Sequence, residues 1–271
     1  MGHNPGVRVR LVTFADGSLR WRLAGHRLER QAKQSQWFDS VHRWTAKTLH
    51  REIPKFRSEN PTLDLNGTRG YGYWLWRPYI LQRELDALAS NECLLFLDAG
   101  CQLNLGPDSS KRLLEYVDMV VEADNLVMQV EQRLDQWCKT DLLEQFQQDS
   151  SVSGRNLVEP GTLFLSRSQA NRALLADWIY WGRADDYHYL DDSPSLAPNT
   201  ENFMEHRHDQ AILTCLASRH TLRALPQETF FPQGWREQGA KYPIWALRNS
   251  TPLTLEGPGA VSRLATRLRH P

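Results

Sequence analysis

The segment GYGYWLWRPYILQRELDALASNECLLFLDAGCQLN, residues 70–104, joins a helix to a buried strand that ends on an acid. Trp76-Arg77-Pro78 opens the helix, because proline is tolerated in a first turn whose N–H groups have no intrahelical partner. Leu81, Leu85 and Leu88 then recur at helical spacing and define one apolar face. After Ser90-Asn91-Glu92 the run Cys93-Leu94-Leu95-Phe96-Leu97 is short and continuously apolar, the pattern of a central parallel strand covered on both faces. It stops at Asp98-Ala99-Gly100, so an acid and two small residues fall at the carboxyl end of a core strand, where open α/β sheets bind ligands.

Working outward, 271 residues suffice for one large α/β domain, and no repeat or composition shift divides the chain. The expectation is a single domain over 1–271, with its core in 8–220 and an irregular carboxy-terminal part, 221–271, that ends in a basic tail. Lys plus Arg and Asp plus Glu stand at 32 each, so bulk charge gives no reason to expect a nucleic-acid partner, and any phosphate must be recognised locally. No apolar run approaches a membrane span, and the start MGHNPGVRVRLVTF lacks the apolar core of a secretory signal. A cytoplasmic protein is expected, with the tail 263–270 basic enough to touch an anionic membrane surface. Cys93, Cys101, Cys138 and Cys215 lie in or beside apolar segments without C-x-x-C pairing, which points to buried free thiols. Trp74, Trp76, Trp178 and Trp181 come in pairs; taken singly each reads as core, although aromatic pairs beside a cleft also hold sugar rings.

Residues 8–14, RVRLVTF, alternate like a first strand and run into the turn signal Ala15-Asp16-Gly17. Asp16 there is either a ligand contact with Thr13 or an ordinary cap on the following helix. Residues 18–35 suit an exposed amphipathic helix and 37–44 a second strand, while 58–69 are loop. Pro107-Asp108-Ser109-Ser110 starts a helix with Leu113, Leu114 and Val117 on its apolar face; 126–130 and 161–166 read as strands and 168–181 as a helix. Thr140 or Asp141 is expected to cap a short helix with Glu144 completing a capping box. That puts Lys139 at the positive end of a dipole, either facing a phosphate or simply solvated. The acidic stretch 182–205 is long for a plain connection and is a candidate flexible lid or acceptor loop.

Glu205-His206-Arg207-His208-Asp209-Gln210 is the second concentration of polar chemistry, and the apolar run after it puts His208, Asp209 and Gln210 in the first turn of a buried helix. Histidines two apart on a helix point roughly 200° apart, so an H-x-H chelate needs extended backbone. Capping and hydrogen bonding are the alternative for both rings.

Taken together, Gly70-Tyr71-Gly72-Tyr73-Trp74-Leu75-Trp76-Arg77-Pro78, the strand end Leu97-Asp98-Ala99-Gly100-Cys101 and the Glu205–Gln210 motif make residues 8–220 resemble bacterial glycosyltransferases of the GT-A fold, in particular capsular and lipopolysaccharide hexosyltransferases. More distantly the pattern is similar to retaining galactosyltransferases and glycogenin-type enzymes. The resemblance implies a single α/β, Rossmann-type domain with a mainly parallel sheet flanked by helices. It implies a nucleotide-diphosphate-sugar donor and a glycan or lipid-linked saccharide acceptor. Thr13 and Asp16 would contact the nucleoside; Trp76, Arg77, Asp98, Ala99, Gly100 and Lys139 would line the donor site. Asp98 would hold a Mn²⁺ or Mg²⁺ ion, and Asp209, Gln210 and His208 would work at the donor sugar. Gly100 departs from the family, because it replaces the second acid of the metal motif and leaves one carboxylate for a cation. Two rivals stand beside this reading: a metal-dependent hydrolase built on His206, His208 and Asp209, and a non-catalytic binder of nucleotide sugar or glycan.

Overall fold

The computed structural model describes residues 6–106, 108–147 and 152–247. Strands β1 (Arg8–Phe14), β2 (Ser40–Trp44), β3 (Glu92–Leu97), β5 (Asn125–Arg133), β6 (Asn156–Ser166) and β7 (Ala224–Pro226) form one sheet in the order β2-β1-β3-β6-β5-β7, while β4 (Cys101–Leu103) and β8 (Ile244–Ala246) make a separate antiparallel pair. β1 is parallel to both β2 and β3, and β5 is parallel to β7; β6 runs antiparallel to β3 and β5. The sheet is thus mainly parallel, as expected, but β3 departs from the expected strand with parallel neighbours, since its partner beyond β1 is the reversed β6. The second strand begins at Ser40, with Trp37 and Phe38 packed beside the core ahead of it.

Helices cover both faces. α1 (Leu19–Ser35) and α6 (Ser109–Ala123) lie on one, over a core that includes Leu28, Leu95, Val117, Met128 and Phe164. The helices α2 (Ala46–Glu52), α3 (Pro54–Glu59), α5 (Trp76–Asp86), α9 (Gln169–Arg183) and α10 (His208–Leu216) cover the other, together with short helical segments α4 (Gly70–Tyr73), α7 (Leu134–Trp137) and α8 (Thr140–Glu144). Burial on two faces of one sheet is what makes β3 continuously apolar and leaves most of β1 and β6 buried. On α6 the buried stripe is Leu113, Tyr116, Val117 and Val120, so Leu114 faces outward and not into the expected apolar face. α9 begins at its Ser168 cap, whose hydroxyl accepts the Asn171 N–H at 3.1 Å.

All four cysteines are free and buried. Trp76 and Trp178 are core, while Trp74 and Trp181 are partly buried against it. Residues 221–247 are built into the fold: β7 extends the sheet, β8 pairs with β4, and Phe231, Trp235, Tyr242 and Trp245 pack together. The basic tail 263–270 lies outside the described residues.

Candidate active site

The strands β1, β2 and β3 point the same way, so their carboxyl ends share one edge of the sheet. Asp98 stands just past β3 on that edge, with its N–H donated to the Gly161 carbonyl at 2.9 Å and its carbonyl accepting from Cys101 N–H at 2.8 Å. Its side chain is 44% exposed, whereas that of Arg77, reaching it from the first turn of α5, is 2% exposed. The Arg77 guanidinium donates to Asp98 Oδ1 at 2.9 Å and ion-pairs on its other side with Asp209, in the first turn of α10. It also lies over the rings of Trp76 and Phe96, with its central carbon 5.3 and 5.4 Å from their centroids. Burial pulls the Arg77 pKa below its ordinary value and Asp98 pushes back; a guanidinium nonetheless stays a cation in a protein. One buried cation therefore draws an acid from a strand end and an acid from a helix start, 111 residues apart in sequence (209 − 98), to a single point.

Gln210, beside Asp209, donates its amide to the Val158 carbonyl of β6 at 3.0 Å. Gly161 on the same strand approaches so closely that a Cβ there would fall 2.5 Å from Asp98 Oδ2. The turn after Asp98 is held from α1 by Arg27, which donates to the carbonyls of Cys101 at 2.7 Å and Ala99 at 3.4 Å. Trp21, 39% exposed, lies over Gly100, with its ring carbon Cζ3 3.5 Å from where a Cβ at that position would sit. An exposed aromatic ring thus stands beside the position where the metal motif would carry its second acid. Trp21, Arg27 and Gly161 were not singled out from the sequence. A lone glycine inside an apolar strand is the signal that would have found Gly161, and an exposed tryptophan between two arginines just after β1 would have marked Trp21.

Several expectations are corrected. Asp16 caps a helix, but not the following one: its carboxylate accepts Gly17 N–H and the Ala46 N–H that opens α2, each at 2.6 Å, while the N-cap position of α1 is Ser18. Thr13 is wholly buried and its hydroxyl has no hydrogen-bond partner, so it lies inside the sheet beneath Asp16 and does not form part of the cleft surface. Lys139 is neither solvated nor turned to a ligand. Its side chain is 2% exposed, and its ammonium donates to the His188 carbonyl (2.6 Å), Asp191 (2.9 Å) and Ser193 (3.1 Å). Lys139 itself is the N-cap residue of α8, and the expected side-chain cap from Thr140 or Asp141 is not made. Asp141 instead accepts the N–H groups of Leu196 and Ala197 and bonds His188 Nε2. The stretch expected as a flexible lid or acceptor loop is consequently fastened to the start of α8 from His188 to Asn199.

His206 and His208 do not converge on a metal. His206 Nε2 donates to the Tyr189 carbonyl at 3.0 Å and Nδ1 accepts the Lys139 N–H at 3.3 Å. Burial and the neighbouring His208 push the His206 pKa down to about 3, so the ring is a neutral spacer. His208 Nδ1 donates to the Leu190 carbonyl at 2.8 Å, and its ring lies against Tyr73 and Trp74 at 4.8 and 5.7 Å between centroids. Those two aromatics belong to a left-handed strap: φ is +61°, +58°, +84°, +51° and +63° from Gly70 to Trp74. For each non-glycine residue this backbone costs about 1–2 kcal/mol. It is held by the Trp76 indole N–H on the Gly70 carbonyl, by Thr68 Oγ1 under Gly72 N–H and by Tyr71 on His50. The strap spans from Phe14 at the end of β1, stacked on Tyr71 and Trp76, to His208 at the start of α10.

The donor set for a cation is thin. Among the described residues no group of three His, Cys, Asp or Glu side chains is placed to hold a metal ion; Asp98 has one oxygen on Arg77. These residues do not fit a cation held by the protein itself.

No protein-family model matches the chain, and no curated protein matches it. Among solved structures, the fold is similar to that of a glycosyltransferase involved in the glycosylation of the major capsid of PBCV-1, with a TM-score of 0.51 at 9% identity over 88% of this chain and 91% of that one. Apo mouse xyloside xylosyltransferase 1 superposes with a TM-score of 0.48 at 13% identity over 91% of this chain and 100% of that one. For UTP-bound UGPase from Acinetobacter baumannii the values are 0.39, 8%, 97% and 98%; similarity at these last two scores defines nothing further. The chain has a GT-A-like α/β fold, a mainly parallel six-stranded sheet flanked by helices.

Proposed function

We propose that the protein is a glycosyltransferase that moves a hexose from a nucleotide-diphosphate sugar to a glycan or lipid-linked saccharide acceptor, in the biosynthesis of capsule or lipopolysaccharide. The observation that carries this reading is the buried Arg77 joining Asp98 to Asp209 at the carboxyl edge of a GT-A-like sheet. The half-exposed Asp98 side chain and the exposed ring of Trp21, over the buried Ala99 and Gly100, offer the surface on which a donor diphosphate would lie. Beneath it Arg77 supplies a fixed positive charge where the leaving diphosphate gathers negative charge, and a preorganised charge costs no reorganisation during reaction. Asp209, ion-paired with that cation, would face positive charge developing at the anomeric carbon, with Gln210 fixed beside it by Val158. With its carboxylate buried and engaged by Arg77, Asp209 is not free to serve as an acceptor base, which favours retention over inversion. His208 positions the start of α10 through Leu190, and does no chemistry of its own. A Mn²⁺ or Mg²⁺ ion would have to arrive bound to the donor diphosphate, with Asp98 as its only carboxylate.

Among the described residues no helix is long and apolar enough to cross a membrane. A cytoplasmic protein that meets the inner membrane face through the tail 263–270 is part of the same proposal. The test is thermal stability against UDP, GDP and their sugars, each with Mn²⁺ and with EDTA, followed by transfer assays with the stabilising donor. Asp209→Asn should lower transfer about 10²–10³-fold while donor binding persists. A shift that survives EDTA removes the cation and keeps the transferase. Donor binding with no turnover in the native chain would leave the non-catalytic binder.

A further inference from the structure

A cavity of about 660 Å³ opens where β5 leaves β6, on the other half of the sheet from Asp98. Its cause is a register break. Gln129 pairs with Val158 and Arg133 with Asn156, so β5 spends Val130, Glu131 and Gln132 where β6 spends only Leu157. The longer strand arches away, as bulged strands do beside functional sites. The arch forms one wall, and Asn156, Gln227 and Phe230 contribute to the others.

The lining chemistry selects a ligand class. Among the described residues no Lys, Arg or His lines the cavity and the one charged residue is Glu131, so it is unsuited to a phosphate or a nucleotide. Side-chain amides from Gln129, Gln132 and Asn156, and from Gln227, whose Nε2 also donates to Glu159 at 3.5 Å, supply donors and acceptors, the complement of paired hydroxyl groups. Phe230, half-buried and edge-on to Trp235 at 5.6 Å, adds an apolar face. The size lies within the roughly 300–1,000 Å³ of ligand pockets.

Its place matters too. β5 and β7 point the same way as β3, and β6 is reversed, so the cavity opens on the edge of the sheet that carries Asp98. Gln129 is in register with Val158, whose carbonyl holds the Gln210 amide. A single inter-strand spacing, about 4.8 Å, separates a cavity residue from the residue gripping Gln210.

We propose that this cavity binds a neutral saccharide, the acceptor of the transfer reaction, and this rests on the transferase reading above. In that reaction the acceptor hydroxyl oxygen bonds to the anomeric carbon of the donor as that carbon's bond to the diphosphate oxygen breaks. The hydroxyl proton leaves with the nucleoside diphosphate.

The test uses saturation-transfer NMR on the full chain with maltose, cellobiose, lactose and chitobiose, each alone and with UDP. The same samples are melted with UDP and UDP-sugars to follow the donor site separately. At least one disaccharide should give a signal, and Gln129→Ala with Gln132→Ala, or Phe230→Ala alone, should weaken its binding at least tenfold without changing the nucleotide-induced melting shift. Asn156→Ala, at an exposed position, gives a second variant should the others fold poorly. No signal from any disaccharide, a signal that survives in all the cavity variants, or one lost in Trp21→Ala but kept in them would overturn the cavity proposal. A nucleotide shift without a saccharide signal defeats the cavity and leaves the donor reading standing. A cavity-dependent saccharide signal without any nucleotide shift supports the saccharide site but removes its role as acceptor.

Discussion

Replacing Lys139 with methionine separates two readings of one residue. Its place at a helix start suggests a phosphate ligand, whereas in the folded chain its ammonium is buried and fastened to residues 188–193. Lys139→Met keeps the length of the side chain and removes the charge. Breaking a fully buried ion pair costs roughly 3–5 kcal/mol, but Asp191 keeps 28% of its side chain exposed, so water takes over part of the lost contact. The His188 carbonyl and Ser193 hydroxyl lose a charged donor as well, and a loss of about 2–3 kcal/mol follows. At roughly 2–4 °C per kcal/mol for a chain of this size, Tm should fall by about 4–12 °C. Thermal unfolding measures this directly, and limited proteolysis should show faster cleavage within residues 184–205. Asp191→Asn should remove most of the same stability, with the double variant costing less than the two single changes summed. Nucleotide affinity, measured well below Tm, should stay within about twofold, because the ammonium makes its contacts inside the protein. An unchanged Tm with a tenfold or greater loss of nucleotide affinity would refute this and return Lys139 to the donor site.

Gly161→Ala should cut transfer at least as much as it cuts stability, because its Cβ, 2.5 Å from Asp98 Oδ2, must displace that carboxylate; activity and Tm measured on the same sample decide it. Gly70→Ala, at φ +61° with its Cβ landing 2.3 Å from the Trp74 ring, should lower Tm by several degrees and disturb the strap. Acid should destabilise the fold through His206. Its folded pKa, about 3, lies below the unfolded value of 6.5, so only the unfolded chain takes up this proton between those limits and stability falls with pH across that window. His206→Asn should flatten the Tm profile from pH 6.5 to 4; a profile equally steep in the variant would contradict the assignment. Asp141, raised by burial but held down to about 2 by the Ala197 and Leu196 N–H groups and His188, contributes stability that is present above its unfolded pKa of 3.8 and lost as pH falls through 2. Asp141→Asn should therefore shift the acid limb of the same profile.

Local signals carried as far as local structure does. The apolar run 93–97, the proline-opened α5 and the polar first turn of α10 were legible because period and capping are properties of neighbouring residues. That put Asp98 at a strand end and Asp209 at a helix start, but not the pairing of both with Arg77, since a contact across 21 and 132 residues leaves no periodic trace. Lys139 was misread for the same reason: its acceptors lie 49 to 54 residues downstream. The direction of β6 was equally hidden, because GTLFLS is as apolar running either way. The capping box at α8 had the correct letters, but Asp141 spends its oxygens on Leu196 and Ala197, so a tertiary contact took the group that local spacing would have used.

The reversal of β6 is what makes one site of these parts. A parallel strand in its place would set its last residues beside Asp98; the antiparallel one brings its first half to that edge. Along that half, Gly161 lets the Asp98 side chain close on the strand, Val158 takes the Gln210 amide while its own N–H goes to Thr214 Oγ1, and Glu159 holds the Thr229 hydroxyl at 2.6 Å. The strand thus fixes β3, α10 and the residues after β7 at successive positions, and its register break with β5 opens the cavity next to them. A residue inserted between Val158 and Gly161 would move Gln210, Thr229 and the cavity wall relative to Asp98. The spacing of the acids from the cavity is therefore set by a single strand, and not by the loops around it.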